Sequence, residues 1–205
     1  MAVILVRHGE TALNAARILQ PAATPLSERG QAQARAVARW LAQRGRIGAI
    51  LSSDLPRAWQ TAEAIGAALG LPVEASPLLQ ERNFGDLRGQ PYDTLGFDPL
   101  AMAEAPAGGE SAPHFAARAQ QAFEEMLRRH AQLHADLVVV THGLLIRTLL
   151  AGPLRMDATA LGELHLANTC VSIFDAAPPH TLQLLNGTQH LDAAERDDAH
   201  GLSGG

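Results

Sequence analysis

No lysine occurs in the 205 residues; all sixteen basic residues are arginine. That absence removes a P-loop lysine, a Schiff-base lysine and any phosphatase chemistry that needs a lysine clamp. What remains is arginine, whose rigid fork of donors fits two phosphate oxygens at once. Cysteine occurs once, at Cys170, so no internal disulfide can form. A cysteine nucleophile of the tyrosine-phosphatase type needs an arginine six positions on, and that position holds Ala176. Cys170 is therefore expected to pack as a small apolar residue in a late strand. Long apolar runs are also missing: the longest reach five or six residues, far short of a membrane span. The formal net charge of −5 gives nothing to attract nucleic acid or acidic membranes. Arg7 and His8 interrupt the apolar stretch at the start of the sequence, so no secretory segment is read there and a cytoplasmic location is expected.

What the chain does have is a repeated design. Val3–Val6 is a short apolar strand that ends in Arg7-His8-Gly9, and Leu137–Val140 is another that ends in Thr141-His142-Gly143. A third strand, Ala49–Ser52, leads through Asp54-Leu55-Pro56 into a helix carrying Arg57. Continuous apolar runs read as strands buried on both faces, and open α/β sheets bind ligands outside the carboxyl ends of such strands. Three strand ends thus deliver Arg7, His8, Arg57 and His142 toward one crevice, where helix N-termini add backbone donors suited to an anion. An imidazole beside guanidinium groups suggests a nucleophile next to an anion clamp.

Strands and helices alternate along the rest of the chain. Ser27 is placed to cap a helix with Ala34, Val37, Ala38 and Leu41 on one face. Pro56 opens the helix carrying Ala58, Ala62, Ile65 and Leu69, and Gly70 with Pro72 ends it. Val73–Ala75 reads as a short strand. Ser111 caps a long helix whose apolar face is Phe115, Ala119, Ala122, Phe123 and Met126. A helix at Leu144–Leu150 and strands near Val171–Phe174 and Thr181–Leu185 complete the pattern. The expected fold is a three-layer α/β/α sandwich with a mostly parallel central sheet. Residues 1–191 form one domain in this reading. The proline- and glycine-rich stretch 91–110 is expected as a lid-like insertion, with Phe84, Leu87, Tyr92 and Phe97 giving a partly apolar wall. Residues 192–205 are expected to form a polar, flexible tail. His130 and His134 are spaced i, i+4, but with no further ligand in step they read as the wet face of the long helix rather than a metal site.

At the level of motifs the chain resembles the histidine phosphatase superfamily, the phosphoglycerate mutase-like proteins. The resemblance rests on R-H-G-E-T at Arg7–Thr11 with Asn14, and on S-S-D-L-x-R-A-x-x-T-A at Ser52–Ala62. It continues with L-x-E-R-x-F-G at Leu79–Gly85, G-G-E-S at Gly108–Ser111 and T-H-G at Thr141–Gly143, in the family's order. Two departures fall near the pocket rim: Leu13 stands where the family usually has tryptophan, and Gln20-Pro21-Ala22-Ala23 replaces a stretch that often carries glycine and aspartate.

The resemblance implies a metal-independent phosphatase that needs no cofactor. His8 would be the nucleophile, forming a phosphohistidine. Arg7, Arg57, Asn14, His142 and the Gly143 amide would hold the phosphoryl oxygens, with His142 either neutral or cationic. Glu81 would give and take the proton. On the residues alone Glu10 competes with it, being closer to His8, and the family's L-x-E position decides for Glu81. The expected partner is a small-molecule phosphomonoester, with no nucleic acid and no membrane, in a monomer or homodimer. Two other readings stay open. One is a mutase, although the positions where family mutases carry a tyrosine and a basic residue for the substrate carboxylate hold Phe84 and Tyr92, and no basic residue lies between Arg88 and Arg118. The other is a non-catalytic phospho-ligand-binding domain, which the joint presence of His8, Arg7, Arg57, Glu81 and His142 argues against.

Overall fold

The computed structural model of the chain describes residues 1–192 and Glu195. Six strands form one sheet: β1 (Ala2–Arg7), β2 (Ile47–Ser52), β3 (Val73–Ala75), β4 (Asp136–Thr141), β5 (Val171–Asp175) and β6 (Leu182–Gly187). Their spatial order is β3-β2-β4-β1-β5-β6. β3, β2, β4 and β1 pair in parallel, and β5 runs antiparallel to both neighbours. The mostly parallel sheet expected from the sequence is therefore the one found, with each strand within a residue or two of its anticipated place. Apart from Asp192 and Glu195, the expected tail lies outside the described residues.

Side chains alternate across a strand, so β1 feeds two cores. Val3 and Leu5 pack with Leu137 and Val139 against α4 (Ala112–His130) and α5 (Gly143–Ala151). Ile4 and Val6 pack with Val138 and Val140 against α2 (Glu28–Ala42) and α3 (Pro56–Leu69). Two shorter helices, α1 (Ala12–Ala15) and α6 (Ala158–Glu163), lie in connections. Helix ends follow local chemistry. Ser27 accepts the Gly30 amide at 3.0 Å to cap α2, and Pro56 opens α3 where its missing N–H has no acceptor to lose. Ser111 caps α4 through the His114 amide at 3.3 Å.

Three local expectations change. Helix α4 ends at His130, so His134 lies beyond it and the i, i+4 pairing does not exist; His130 is buried instead of forming a wet face. Cys170 is buried as expected, but it stands one residue ahead of β5 rather than in it. Phe97 is 48% exposed, whereas Phe84 and Tyr92 bury against Leu19, with Leu87, Leu95, Leu100 and Leu144 around them. The apolar wall is thus built without Phe97. Proline and glycine around Phe97 turn the chain outward before its ring can fold back.

Helix α2 meets the loop after β1 through bare backbone. A Cβ on Gly30 would lie 2.0 Å from the Glu10 carbonyl oxygen, and one on Gly9 would lie 2.5 Å from that of Gly30. Backbone cannot yield as a flexible side chain can. Gly30→Ala is expected to destabilise the fold by about 1–3 kcal/mol, the cost of overpacking, read as a lower urea midpoint. A midpoint equal to the parent protein's would show that this contact bears no weight.

Candidate active site

Strand register assembles the site. Arg7 pairs with Thr141 across β1 and β4, and Ser52 pairs with Val140 across β2 and β4. His8 and His142 therefore leave adjacent parallel strands at the same height, and their ring centroids lie 5.1 Å apart. Arg7, His8 and His142 are fully buried, and Arg57, on the first turn of α3, is 2% exposed. Asn14 is buried on α1, behind its N-cap Thr11. Gly143 is the first residue of α5, where an amide has no acceptor within its own helix. The residues expected from the sequence to share one crevice do share it.

Hydrogen bonds fix both imidazoles. His8 Nδ1 lies 2.7 Å from the Gly9 carbonyl oxygen, which can only accept. Nδ1 thus carries the proton and Nε2 carries the lone pair, the tautomer an attacking imidazole needs. The His8 carbonyl is itself held by the Asn168 side-chain amide at 3.0 Å. His142 Nε2 lies 2.9 Å from Ser53 Oγ, and that hydroxyl already accepts the Leu55 amide at 3.2 Å. The hydroxyl's proton and its second lone pair both remain for Nε2, and the ring's other nitrogen is Nδ1. That atom is buried with no partner among the described residues. Burial first, then the charges of Arg57, His8 and Arg7, push the His142 pKa well below the usual histidine range. Of the two protonation states left open above, the surroundings select the neutral one, a donor without a charge.

The arginines are held by main-chain oxygen. Arg7 donates to the Leu166 carbonyl. Arg57 NH1 lies 3.5 Å from the Pro21 carbonyl, so the stretch that departs from the family pattern touches Arg57 directly. Burial lowers the Arg57 pKa to about 10, which still leaves it charged at neutral pH.

Glu81 is 4% exposed and caps a helix distant in sequence. Its carboxylate accepts the amides of Leu144 at 3.0 Å and Leu145 at 3.2 Å, in the first turn of α5, and that of Arg82 at 3.1 Å. Burial raises its pKa, and the Leu144 amide and Arg57 oppose the rise without cancelling it. Glu10, its competitor on sequence grounds, is engaged elsewhere: it pairs with Arg29 at 3.0 Å and accepts from Ser27 Oγ at 2.8 Å.

Sequence reasoning missed the brace behind Glu81. Arg118 forks onto both oxygens of Glu110, at 3.0 and 2.8 Å, and also donates to the carbonyls of Leu78 and Gln80. Buried Arg82 donates to the Glu110 carbonyl at 3.0 Å. Gly85 has φ 51°, and a Cβ there would lie 2.0 Å from the Ala107 carbonyl. The E-R-x-F-G and G-G-E-S motifs are thus two halves of one loop lock. Their adjacency in the motif order was the available signal.

Two buried histidines set among buried arginines at the carboxyl ends of parallel strands, with a buried carboxyl whose pKa is raised, fit a class of phosphoryl-transfer protein. The comparisons agree with that class. The model of the histidine phosphatase superfamily (branch 1) matches residues 3–186, and the chain belongs to that superfamily. It is 34% identical over 216 residues to the probable phosphoglycerate mutase GpmB of Yersinia pestis, covering 96% of this chain and 97% of that one. Among solved structures it is similar to mycobacterial glucosyl-3-phosphoglycerate phosphatase, with 30% identity, a TM-score of 0.77, and 91% and 99% of the two chains covered. It is also similar to a phosphoserine phosphatase mutant from Entamoeba histolytica in complex with phosphoserine, with 28% identity, a TM-score of 0.78, and coverage of 93% and 98%.

A point charge cannot reproduce the Arg57 fork. Arg57→Lys is expected to lower turnover about a hundredfold or more, the scale of one lost transition-state donor. Steady-state rates within a few fold of the parent enzyme would place Arg57 outside the clamp.

Proposed function

We propose that the protein hydrolyses a small phosphomonoester through a phosphohistidine at His8. The observation that carries this reading is the Gly9 carbonyl on Nδ1, which leaves Nε2 as the attacking nitrogen. In the first step Nε2 bonds to phosphorus while the ester P–O bond breaks, and Glu81 gives its proton to the departing oxygen. In the second step water attacks the phosphohistidine, Glu81 takes the proton of that water, and the P–N bond breaks to release phosphate and restore His8. Arg7, Arg57, Asn14, His142 and the Gly143 amide hold the three equatorial oxygens, where charge spreads in a loose transition state. No metal is required in this scheme, because the guanidinium groups supply the positive charge.

An isomerase reading draws on the mutase name of the Yersinia relative. A mutase must hold the dephosphorylated intermediate long enough to phosphorylate it again. Phe84 and Tyr92, at the positions that would grip its carboxylate, are buried in an apolar cluster, which favours release and hydrolysis. Free phosphate is the expected product from 3-phosphoglycerate; accumulation of an isomer in its place would favour the mutase.

Brief mixing with ³²P-labelled substrate followed by alkaline quench is expected to leave label on the protein, stable in alkali and lost in acid. His8→Ala should abolish label and turnover together. An acid-stable label, or an active His8→Ala enzyme, would overturn the mechanism.

The raised pKa of Glu81 gives a pH test with a definite sign. The first step needs the protonated carboxyl, so turnover of an alkyl phosphate should fall as pH rises through that pKa. Glu81→Gln should remove this limb and cost about a hundredfold or more on alkyl phosphates. The cost should be smaller on p-nitrophenyl phosphate, whose leaving group needs little protonation. Equal losses on both substrates would remove Glu81 from the role of acid.

A further inference from the structure

Arg88 stands apart from every other arginine in the described structure. Those withdrawn from solvent all have an acceptor: Arg7 and Arg57 main-chain oxygens, Arg29 Glu10, Arg82 and Arg147 carbonyls, Arg118 Glu110, Arg129 Glu74, and Arg17 Asp93. The remaining arginines among the described residues are exposed. Arg88 alone is half-buried with no hydrogen-bond or ion-pair acceptor for its guanidinium among the described residues. The acid whose charge acts on it, Glu81, is already held by the amides of Leu144, Leu145 and Arg82. A guanidinium drawn partly out of water without an acceptor is costly unless something supplies one.

Its backbone is fixed on the pocket rim. The Arg88 amide donates to the Gly85 carbonyl at 3.1 Å. The next residue, Gly89, donates to the Leu19 carbonyl at 2.7 Å, and the Leu19 amide returns to Gln90 at 3.0 Å. The segment bearing Arg88 is thus clipped to the one that runs from Asn14 to Pro21, whose carbonyl meets Arg57. Leu87 turns into the apolar cluster of Leu19, Phe84 and Tyr92. The Arg88 charge acts on both Glu81 and Arg57.

These facts locate Arg88 relative to the reaction. In the hydrolase reading the phosphoryl group lies at the strand ends, among buried side chains. The leaving oxygen must lie beside Glu81, which protonates it, on the side away from His8. A half-buried cation on the rim beside Glu81 therefore faces the leaving group and not the phosphoryl oxygens.

We propose that Arg88 is a specificity residue that binds a second anionic group, a carboxylate or a second phosphate, on the leaving-group part of the substrate. The substrate class is then a phosphomonoester carrying a further negative charge, rather than a neutral alcohol phosphate. This inference rests on the hydrolase reading above. Its fork suits either anion, and substrate binding supplies the acceptor that Arg88 otherwise lacks.

The test compares substrates that differ in the second anion. One pair is 3-phosphoglycerate and glycerol 3-phosphate; the other is fructose 1,6-bisphosphate and fructose 6-phosphate. In one pair or the other the parent enzyme is expected to prefer the doubly anionic member at least tenfold in kcat/KM, the scale of a charged hydrogen bond. The preferred pair identifies the anion as carboxylate or phosphate. Arg88→Gln should reduce that preference to within about threefold, chiefly through KM, and Arg88→Lys should restore part of it. No preference in either pair would overturn the inference, as would an equal loss on both members with a shifted pH profile, which would make Arg88 an electrostatic partner of Glu81. If p-nitrophenyl phosphate is hydrolysed in those cases, the hydrolase reading stands. If no phosphomonoester is hydrolysed at all, both fail together.

Discussion

Parallel pairing of β1 with β4 is the constraint from which the rest of the site follows. With Arg7 opposite Thr141, the next residue on each strand is a histidine, and both histidines emerge at the carboxyl end of the sheet. A slip of one residue would turn Val3 and Leu5 to the wrong core and separate the rings. The alternating burial of β1 between two helix layers therefore holds the geometry of the site in place. Hydrophobic packing and the position of His8 are enforced by the same strand.

That arrangement concentrates positive charge where water is scarce. Arg7, Arg57 and two histidines share a buried volume, and the structure eases their repulsion by two means. Main-chain carbonyls of Leu166 and Pro21 accept from the arginines, and His142 is held neutral by its surroundings. The field that remains suits a dianionic phosphoryl group, which gains most where competing water is excluded. Arg57 stays charged because its pKa falls only to about 10.

Glu81 faces the opposite problem. In the proposed role of acid it needs its proton, yet this carboxyl caps the first turn of α5, an interaction that favours the ion. Burial wins, and the pKa rises. Holding a carboxyl in that place takes a rigid loop, which explains the Arg118–Glu110 fork and buried Arg82 behind it. Those residues hold the loop that carries Glu81 through its main-chain oxygens.

Much of this was legible in the residues. Short apolar runs with caps and glycine stops specify strands and helices locally, because burial of one face and satisfaction of helix ends are short-range requirements. The R-H-G and T-H-G strand ends, with Arg57 after Pro56, marked the residues that cluster at the end of the sheet for the same reason. The choice between Glu81 and Glu10 was different. Only the fold shows Glu10 tied to Arg29 and Ser27 while Glu81 reaches the amide of Leu144, 63 residues away. The neutral state of His142 also depends on neighbours distant in sequence. Local sequence determined which residues could do chemistry and the elements that carry them. Tertiary structure decided their protonation, their partners and which of two carboxylates faces the pocket, because burial and charge proximity are properties of three-dimensional neighbours.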